Sequence, residues 1–380
     1  MEKRIYLSPP HMMGGEFKYL FEAFHTNWIA PLGGNVDGFE REICAFTGAR
    51  CAAALSSGSS AIYLSLMALG VRSGDSVLCS DLTFAGSCFP IKMLGAEPVF
   101  IDSEPECCNM SPVSLGRALD HAAREGRLPK AAVIVDLYGN PADYESLLAQ
   151  CERYNVPVLE DAAEALGAAF TGKSCGCLGK LGVYSFNGNK IITTSGGGMA
   201  VSDDEALIAK IKYWATQARE PVLHYEHKEI GYNFRLSNIC AGIGRGQLEG
   251  LTEKIRGRAG VGKLYREGLR GLPVRFIEPC RGGEPNHWLS VMLVEPGREE
   301  AVGRIIEALD AENIEARPMW KPMHAQPVFY GASFYPHDES DPDGVSLSLF
   351  HRGICLPSGE TLTPEEQDRV IGVIRRILEA

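Results

Sequence analysis

AAVIVDLYGNPADYESLLAQCERYNVPVLED, residues 131–161, reads as a strand, a helix and a second strand. AAVIVD (131–136) and VPVLED (156–161) are short apolar runs, and each ends on a carboxylate. Between them DYESLLAQCERY (143–154) places its apolar residues at helical spacing. Strands without polar alternation fit burial on both faces, and strands linked through helices pair in parallel. The pattern recurs outward in both directions. Further strands are expected at CAAALSS (51–57), SVLCSD (76–81), PVFID (98–102), GVYSF (182–186) and GGMAVS (197–202), with SSAIYLSLMALG (59–70) as one of the intervening helices. The expected fold class is α/β, a mostly parallel sheet between helices.

Past about residue 250 the pattern changes. HWLSVMLVE (287–295) reads as a strand, EEAVGRIIEAL (299–309) as an amphipathic helix and PEEQDRVIGVIRRILEA (364–380) as a closing helix. The expected division is a large domain over 1–250 and a smaller C-terminal α/β domain over 251–380, with the first 30 or so residues packing on the latter. Pro318 to Asp343, rich in Pro, His and aromatic residues, reads as a loop.

With 37 Lys plus Arg against 48 Asp plus Glu the net charge is −11, which disfavours nucleic acid and anionic membranes as partners. MEKRIYLSPPHMM lacks the apolar core of a signal peptide, and no apolar run reaches the roughly 18 residues of a membrane span. A cytoplasmic protein is expected. The twelve cysteines are scattered without a C-x-x-C pair, so neither a metal site nor a disulfide framework is expected.

In an open parallel sheet, ligands bind beyond the carboxyl ends of the strands. Ser57-Gly58-Ser59-Ser60 follows the first strand and opens a helix, where unpaired N–H groups favour a phosphate. Thr83-Phe84 follows the second, Asp136 ends the fourth, Glu160-Asp161 the fifth, and Ser185, Phe186 and Lys190 follow the sixth. A phosphate cradle, an aromatic ring, carboxylates and a lysine at one edge are what pyridoxal 5'-phosphate (PLP) requires. A dinucleotide is disfavoured, because the turn SSGSSA lacks G-x-G-x-x-G.

The chain resembles the DegT/DnrJ/EryC1/StrS family of sugar aminotransferases, fold type I PLP enzymes. The resemblance runs from SPPHM (8–12) and NWIAPLG (27–33) to EARPMWKPMHAQP (315–327). Its most specific pieces are EDAAEALGA (160–168), SFNGNK (185–190) with SGGGM (195–199), and GYNFRLSNICAGIGRGQL (231–248). It implies that Lys190 carries the cofactor as a Schiff base, that Asp161 keeps the ring nitrogen protonated and that Phe84 stacks on the ring. Gly58, Ser59 and Ser185 would bind the phosphate. Asn233 would complete the partner subunit's site, implying a homodimer with shared active sites. Glu164, near the cofactor's phenolic oxygen, stands where the family often has glutamine, and Asp136 where it often has histidine. Lys190 argues against the branch that replaces this lysine by histidine and performs dehydration.

The resemblance further implies L-glutamate as amino donor. NWIAPLG and RPMWKPMH (317–324) resemble members acting on UDP-linked 4-keto-6-deoxy sugars of the bacillosamine type. Arg317, Lys321 and His324 are candidates for a diphosphate, Trp28 and Trp320 for walls around sugar or base, and Arg235 or Arg317 for the glutamate carboxylate. A GDP- or dTDP-linked sugar, a cyclitol ketone and a non-catalytic PLP-binding regulator stand as alternatives.

Overall fold

The computed structural model describes residues 3–379. Among them, eight strands form the large sheet. Across it they run in the order Cys51–Leu55, Gly198–Ser202, Leu181–Ser185, Val158–Asp161, Ala131–Val135, Ser76–Ser80, Glu97–Ile101 and Ser333–Tyr335. Gly198–Ser202 runs antiparallel to both neighbours, and every other pairing is parallel. All five residues of Ala131–Val135 are buried, which is why its sequence shows no polar alternation. Val133 and Leu159 face helices Gly58–Ala68 and Glu205–Ala215 through Ile62, Leu66, Ile208 and Ile211. Ile134 and Val158 face Pro112–Arg124 and Tyr144–Arg153 through Leu115, Leu119 and Leu147. The three-layer α/β architecture expected from the sequence is the one observed.

A second, antiparallel sheet carries Val274–Phe276, Ser290–Val294, Gly353–Leu356 and Arg317–Pro318 in that order. Helices Leu251–Gly268, Glu300–Ala311 and Pro364–Leu378 bury Val261, Ile305, Leu309, Val370 and Ile374 against it. Ile5 joins this core and bridges to Ile314.

The stretch read as a loop, Pro318 to Asp343, contains structure. Pro318 closes a short strand, and Ser333–Tyr335 pairs with Glu97–Ile101 as the last strand of the large sheet. Two fully buried aspartates hold the stretch down. Asp81 accepts hydrogen bonds from the His324 amide (2.8 Å) and ring (2.7 Å), and Asp102 accepts from the amides of His337 (2.7 Å) and Val345 (2.9 Å). No helix among the described residues is long and apolar enough to cross a membrane.

Candidate active site

A cavity of about 710 Å³ opens at the carboxyl ends of the large-sheet strands. Ser57, Thr83, Val135, Asp161 and Ser185 line it from those ends, the N-terminal Tyr6 to Pro10 form one wall, and Trp288, Arg317 and Trp320 come from the second sheet and its approaches.

Ser57 caps the Gly58–Ala68 helix, its Oγ accepting the Ser60 amide at 3.0 Å while Ser60 Oγ accepts the Ser57 amide at 3.0 Å. The amides of Gly58 and Ser59, in the helix's first turn, have no acceptor within the helix and are left for a ligand. A Cβ on Gly58 would lie 3.1 Å from Ser185 Cβ, so glycine lets this helix start sit against the strand bearing Ser185.

Asp161 is buried at the end of its strand. Its Oδ2 accepts the Ser87 hydroxyl at 2.6 Å and its Oδ1 the Ala163 amide at 3.1 Å. Burial pushes its carboxyl above the usual range, while Ser87, Ala163 and the charge of Lys190 work against that. Lys190 Nζ lies 3.0 Å from Glu164 Oε1 and 4.1 Å from the centre of the Trp288 ring. Glu164 Oε2 accepts the Tyr138 amide at 2.8 Å. Tyr138 sits in left-handed backbone (φ 55°, ψ 23°), and its hydroxyl accepts the Trp320 amide at 2.9 Å. Trp320 packs on Tyr138 and Phe84, ring centres 4.7 and 5.8 Å away.

The DegT/DnrJ/EryC1/StrS aminotransferase profile matches residues 11–375. The chain belongs to the DegT/DnrJ/EryC1/StrS aminotransferase family. It is 51% identical over 375 residues to EpsN of Bacillus subtilis strain 168, which bears the name of a pyridoxal phosphate-dependent aminotransferase, covering 98% of this chain and 96% of that protein. It is 33% identical over 377 residues to the GDP-perosamine synthase of Caulobacter vibrioides, covering 99% and 98%. A crystal structure of a DegT DnrJ EryC1 StrS aminotransferase from Brucella abortus superposes with a TM-score of 0.88 at 28% identity, covering 96% of each chain.

As a DegT-family member the protein is a PLP-dependent sugar aminotransferase, and the donor set fits that cofactor. Free amides at the Gly58 helix start suit a phosphate, the half-exposed Phe84 ring a stacked heterocycle, the buried Asp161 carboxylate a protonated ring nitrogen, and the Lys190 amine an aldehyde.

Gly58, Ser59, Phe84, Asp161, Glu164, Ser185, Lys190, Arg317 and Trp320 line the one cavity. Other residues singled out from the sequence lie outside it. Trp28 is half-exposed and donates its ring N–H to the Leu32 carbonyl. Asn233 is exposed in a short bridge to Thr216. Lys321 is absent from the lining, and His324 is taken up by Asp81. Burial lowers the proton affinity of His324, but Asp81, with the charges of Asp102 and Asp343, outweighs it and raises the pKa. Arg235 rests against Glu40, Nη1 to Oε1 3.1 Å, at an angle too poor for a hydrogen bond. Asp136 points away, accepting from Ala142 N (3.1 Å) and the Tyr144 hydroxyl (2.9 Å) beside Glu160 and Cys175.

Three site residues had escaped the sequence reading. Ser87 sits in the TFAGSC turn after the second strand, Tyr138 two residues past the fourth, and Trp288 in what reads as strand. The strand-end rule reaches the first two; nothing local marks Trp288.

Proposed function

We propose that this DegT-family enzyme moves an amino group from L-glutamate to the 4-keto carbon of a UDP-linked 6-deoxy amino sugar, by ping-pong transamination. The observation that supports this best is Lys190 and Asp161 facing one cavity whose rim bears the exposed Arg317. Bound PLP supplies an electron sink for the charge left when a proton departs beside the amino nitrogen. Asp161, buried and hydrogen-bonded, serves as the anion facing the ring nitrogen. Lys190 Nζ is the group that takes and returns the proton. Arg317 offers a guanidinium suited to a diphosphate or a carboxylate, and Trp320 and Tyr6 line the same cavity. The exposed Asn233 is proposed to serve a second subunit's cofactor in a homodimer.

A GDP-linked keto sugar is the second reading, favoured by the GDP-perosamine synthases of Caulobacter vibrioides and Vibrio cholerae at 33% and 31% identity. The test is to offer glutamate with UDP-, GDP- and dTDP-linked 4-keto-6-deoxy sugars and follow 2-oxoglutarate and the aminated product by mass. Amination of the UDP sugar alone is expected. Preference for the GDP sugar would replace the first reading with the second.

A further inference from the structure

Tyr138 is absent from the cavity lining, yet it packs against residues that form it. It is fully buried, with its ring centre 4.7 Å from that of Trp320 and 6.3 Å from that of Trp288. A bulky residue in left-handed backbone persists only where its surroundings over-determine it. Here the turn is clamped by the buried Asn286. The Gly139 carbonyl accepts the Asn286 amide at 3.1 Å, and a Cβ on Gly139 would stand 1.9 Å from Asn286 Oδ1, so glycine has to follow Tyr138. Asn286 Nδ2 also donates to the carbonyls of Glu164 (2.7 Å) and Leu166 (3.0 Å). Held in this way, the turn delivers the Tyr138 hydroxyl to the stretch that carries Trp320.

The two tryptophans of the cavity are supported differently. Trp288 has its own anchors, its ring N–H donating to the Asn189 carbonyl at 2.8 Å and its amide to Asn286 Oδ1 at 2.9 Å. Trp320 is half-buried and lies between Met319, whose amide donates to the Gly353 carbonyl at 2.8 Å, and Met323, whose amide donates to the Asp81 carbonyl at 2.9 Å. Between those anchors the Trp320 amide finds its acceptor in the Tyr138 hydroxyl at 2.9 Å. Burial raises the pKa of that phenol above its ordinary value, so the hydroxyl stays neutral and the contact does not titrate near neutral pH. Removing the hydroxyl would leave a part-buried N–H without an acceptor, and the backbone under the indole would have to move to find one.

We infer that Tyr138 is a positioning residue for the acceptor substrate, its hydroxyl holding Trp320 as the apolar wall against which the keto sugar seats. This rests on the reading that the sugar enters this cavity, whichever nucleotide it carries. An indole offers a broad apolar surface to the C–H face of a pyranose, and Arg317, three residues earlier and in the same lining, offers charge to a phosphate. Glutamate, small and doubly anionic, gains less from an indole.

The test is a double-mutant cycle on the full-length, PLP-loaded enzyme, using whichever of the UDP-, GDP- or dTDP-linked 4-keto-6-deoxy sugars it aminates. Affinity for the corresponding 4-hydroxy sugar nucleotide, which lacks the reacting ketone, is read by calorimetry beside KM. Tyr138→Phe keeps the ring and the amide bond to Glu164 and removes the hydroxyl. It should raise KM for the sugar and weaken the calorimetric affinity by about fivefold or more, and slow the glutamate half-reaction by a smaller factor. Trp320→Leu should raise the same KM, and adding Tyr138→Phe to it should raise KM little further, because the wall through which the hydroxyl acts is gone. An unmoved KM in Tyr138→Phe, a fully additive rise in the double variant, or an equal slowing of the glutamate half-reaction overturns the inference. Should Tyr138→Phe fail to fold by circular dichroism, Trp320→Leu decides: a rise confined to the sugar upholds the wall, and an unmoved KM overturns it. An unaltered enzyme that aminates none of the three sugars would overturn the acceptor reading and this inference with it, whereas amination with additive effects overturns the inference alone.

Discussion

Ser87 aims its hydroxyl at the buried carboxylate of Asp161, 2.6 Å from Oδ2, and lies 2.7 Å from the Thr83 hydroxyl on its other side. All three groups are buried, so the relay is shielded from water. A hydroxyl donating to a carboxylate favours the anion, the form a protonated ring nitrogen needs opposite it.

Ser87→Ala should therefore slow the half-reaction with glutamate. A hydrogen bond to a charged group contributes about 1.5–3 kcal/mol, so a loss of about tenfold or more is expected in single-turnover rate. Asp161→Asn keeps the shape and removes the charge, and should slow the same step by orders of magnitude more. A Ser87→Ala rate equal to that of the unaltered enzyme would break the link between relay and chemistry.

Arg317 is oriented from below. Glu315 Oε1 accepts from Arg317 Nε (3.2 Å) and Nη2 (3.0 Å), while Glu315 Oε2 accepts the Leu7 amide at 3.1 Å. Arg317→Ala should raise KM for the nucleotide sugar and leave the glutamate half-reaction intact, with Glu315→Gln giving a smaller rise. Damage confined to the glutamate half-reaction would instead make Arg317 the partner of the donor's carboxylate.

Asp136 gives a pH signature in stability. Burial, then the neighbouring Glu160, raise its folded-state pKa well above the ordinary value, and its Oδ2 has no hydrogen-bond partner. A carboxyl raised in the folded state contributes stability that is fully present below its unfolded value, about 3.9, and is lost as pH rises through the folded value. The unaltered enzyme should lose stability over that window, and Asp136→Asn, which keeps the Tyr144 and Ala142 contacts and adds a donor toward Glu160, should lose less. Urea melts from pH 4 to 8 should show the gap widening with pH, by about 1.4 kcal/mol for each pH unit by which the pKa is raised. A constant gap would mean that Asp136 does not titrate in this way.

Asn233 should act in trans. Mixing inactive Lys190→Ala chains with inactive Asn233→Ala chains should form hybrid dimers with one intact site and restore part of the activity. No recovery despite proven subunit exchange would separate Asn233 from a shared site.

The large sheet was legible because its strands are buried on both faces and a helix such as Tyr144–Arg153 is amphipathic. Val133, Leu159 and Leu181 are apolar with no face to spare, and Tyr144, Leu147 and Cys151 recur at helical spacing. Lys190, Asp161 and the Gly58 turn followed from the rule that ligands bind where strands end. Ser333–Tyr335 was not legible, since three residues between Ala332 and Pro336 carry no periodicity and their pairing with Val99 to Ile101 is long-range. His324 and Arg235 read as free cations because the buried carboxylates that hold them, Asp81 and Glu40, are remote in sequence. Trp288 lies two residues before Ser290–Val294, a strand of the second sheet.

The late strand also bears on how the chain is made. Because Ser333 aligns beside Val99, the outermost position of the first sheet stays vacant until more than 230 further residues have left the ribosome after Ile101. Until then Glu97–Ile101 presents bare backbone donors and acceptors, the kind of edge on which nascent chains associate. Synthesis of the N-terminal part thus precedes its completion, and a fragment ending before Ser333 should aggregate even though Lys190, the Gly58 turn and most of its core are already in place.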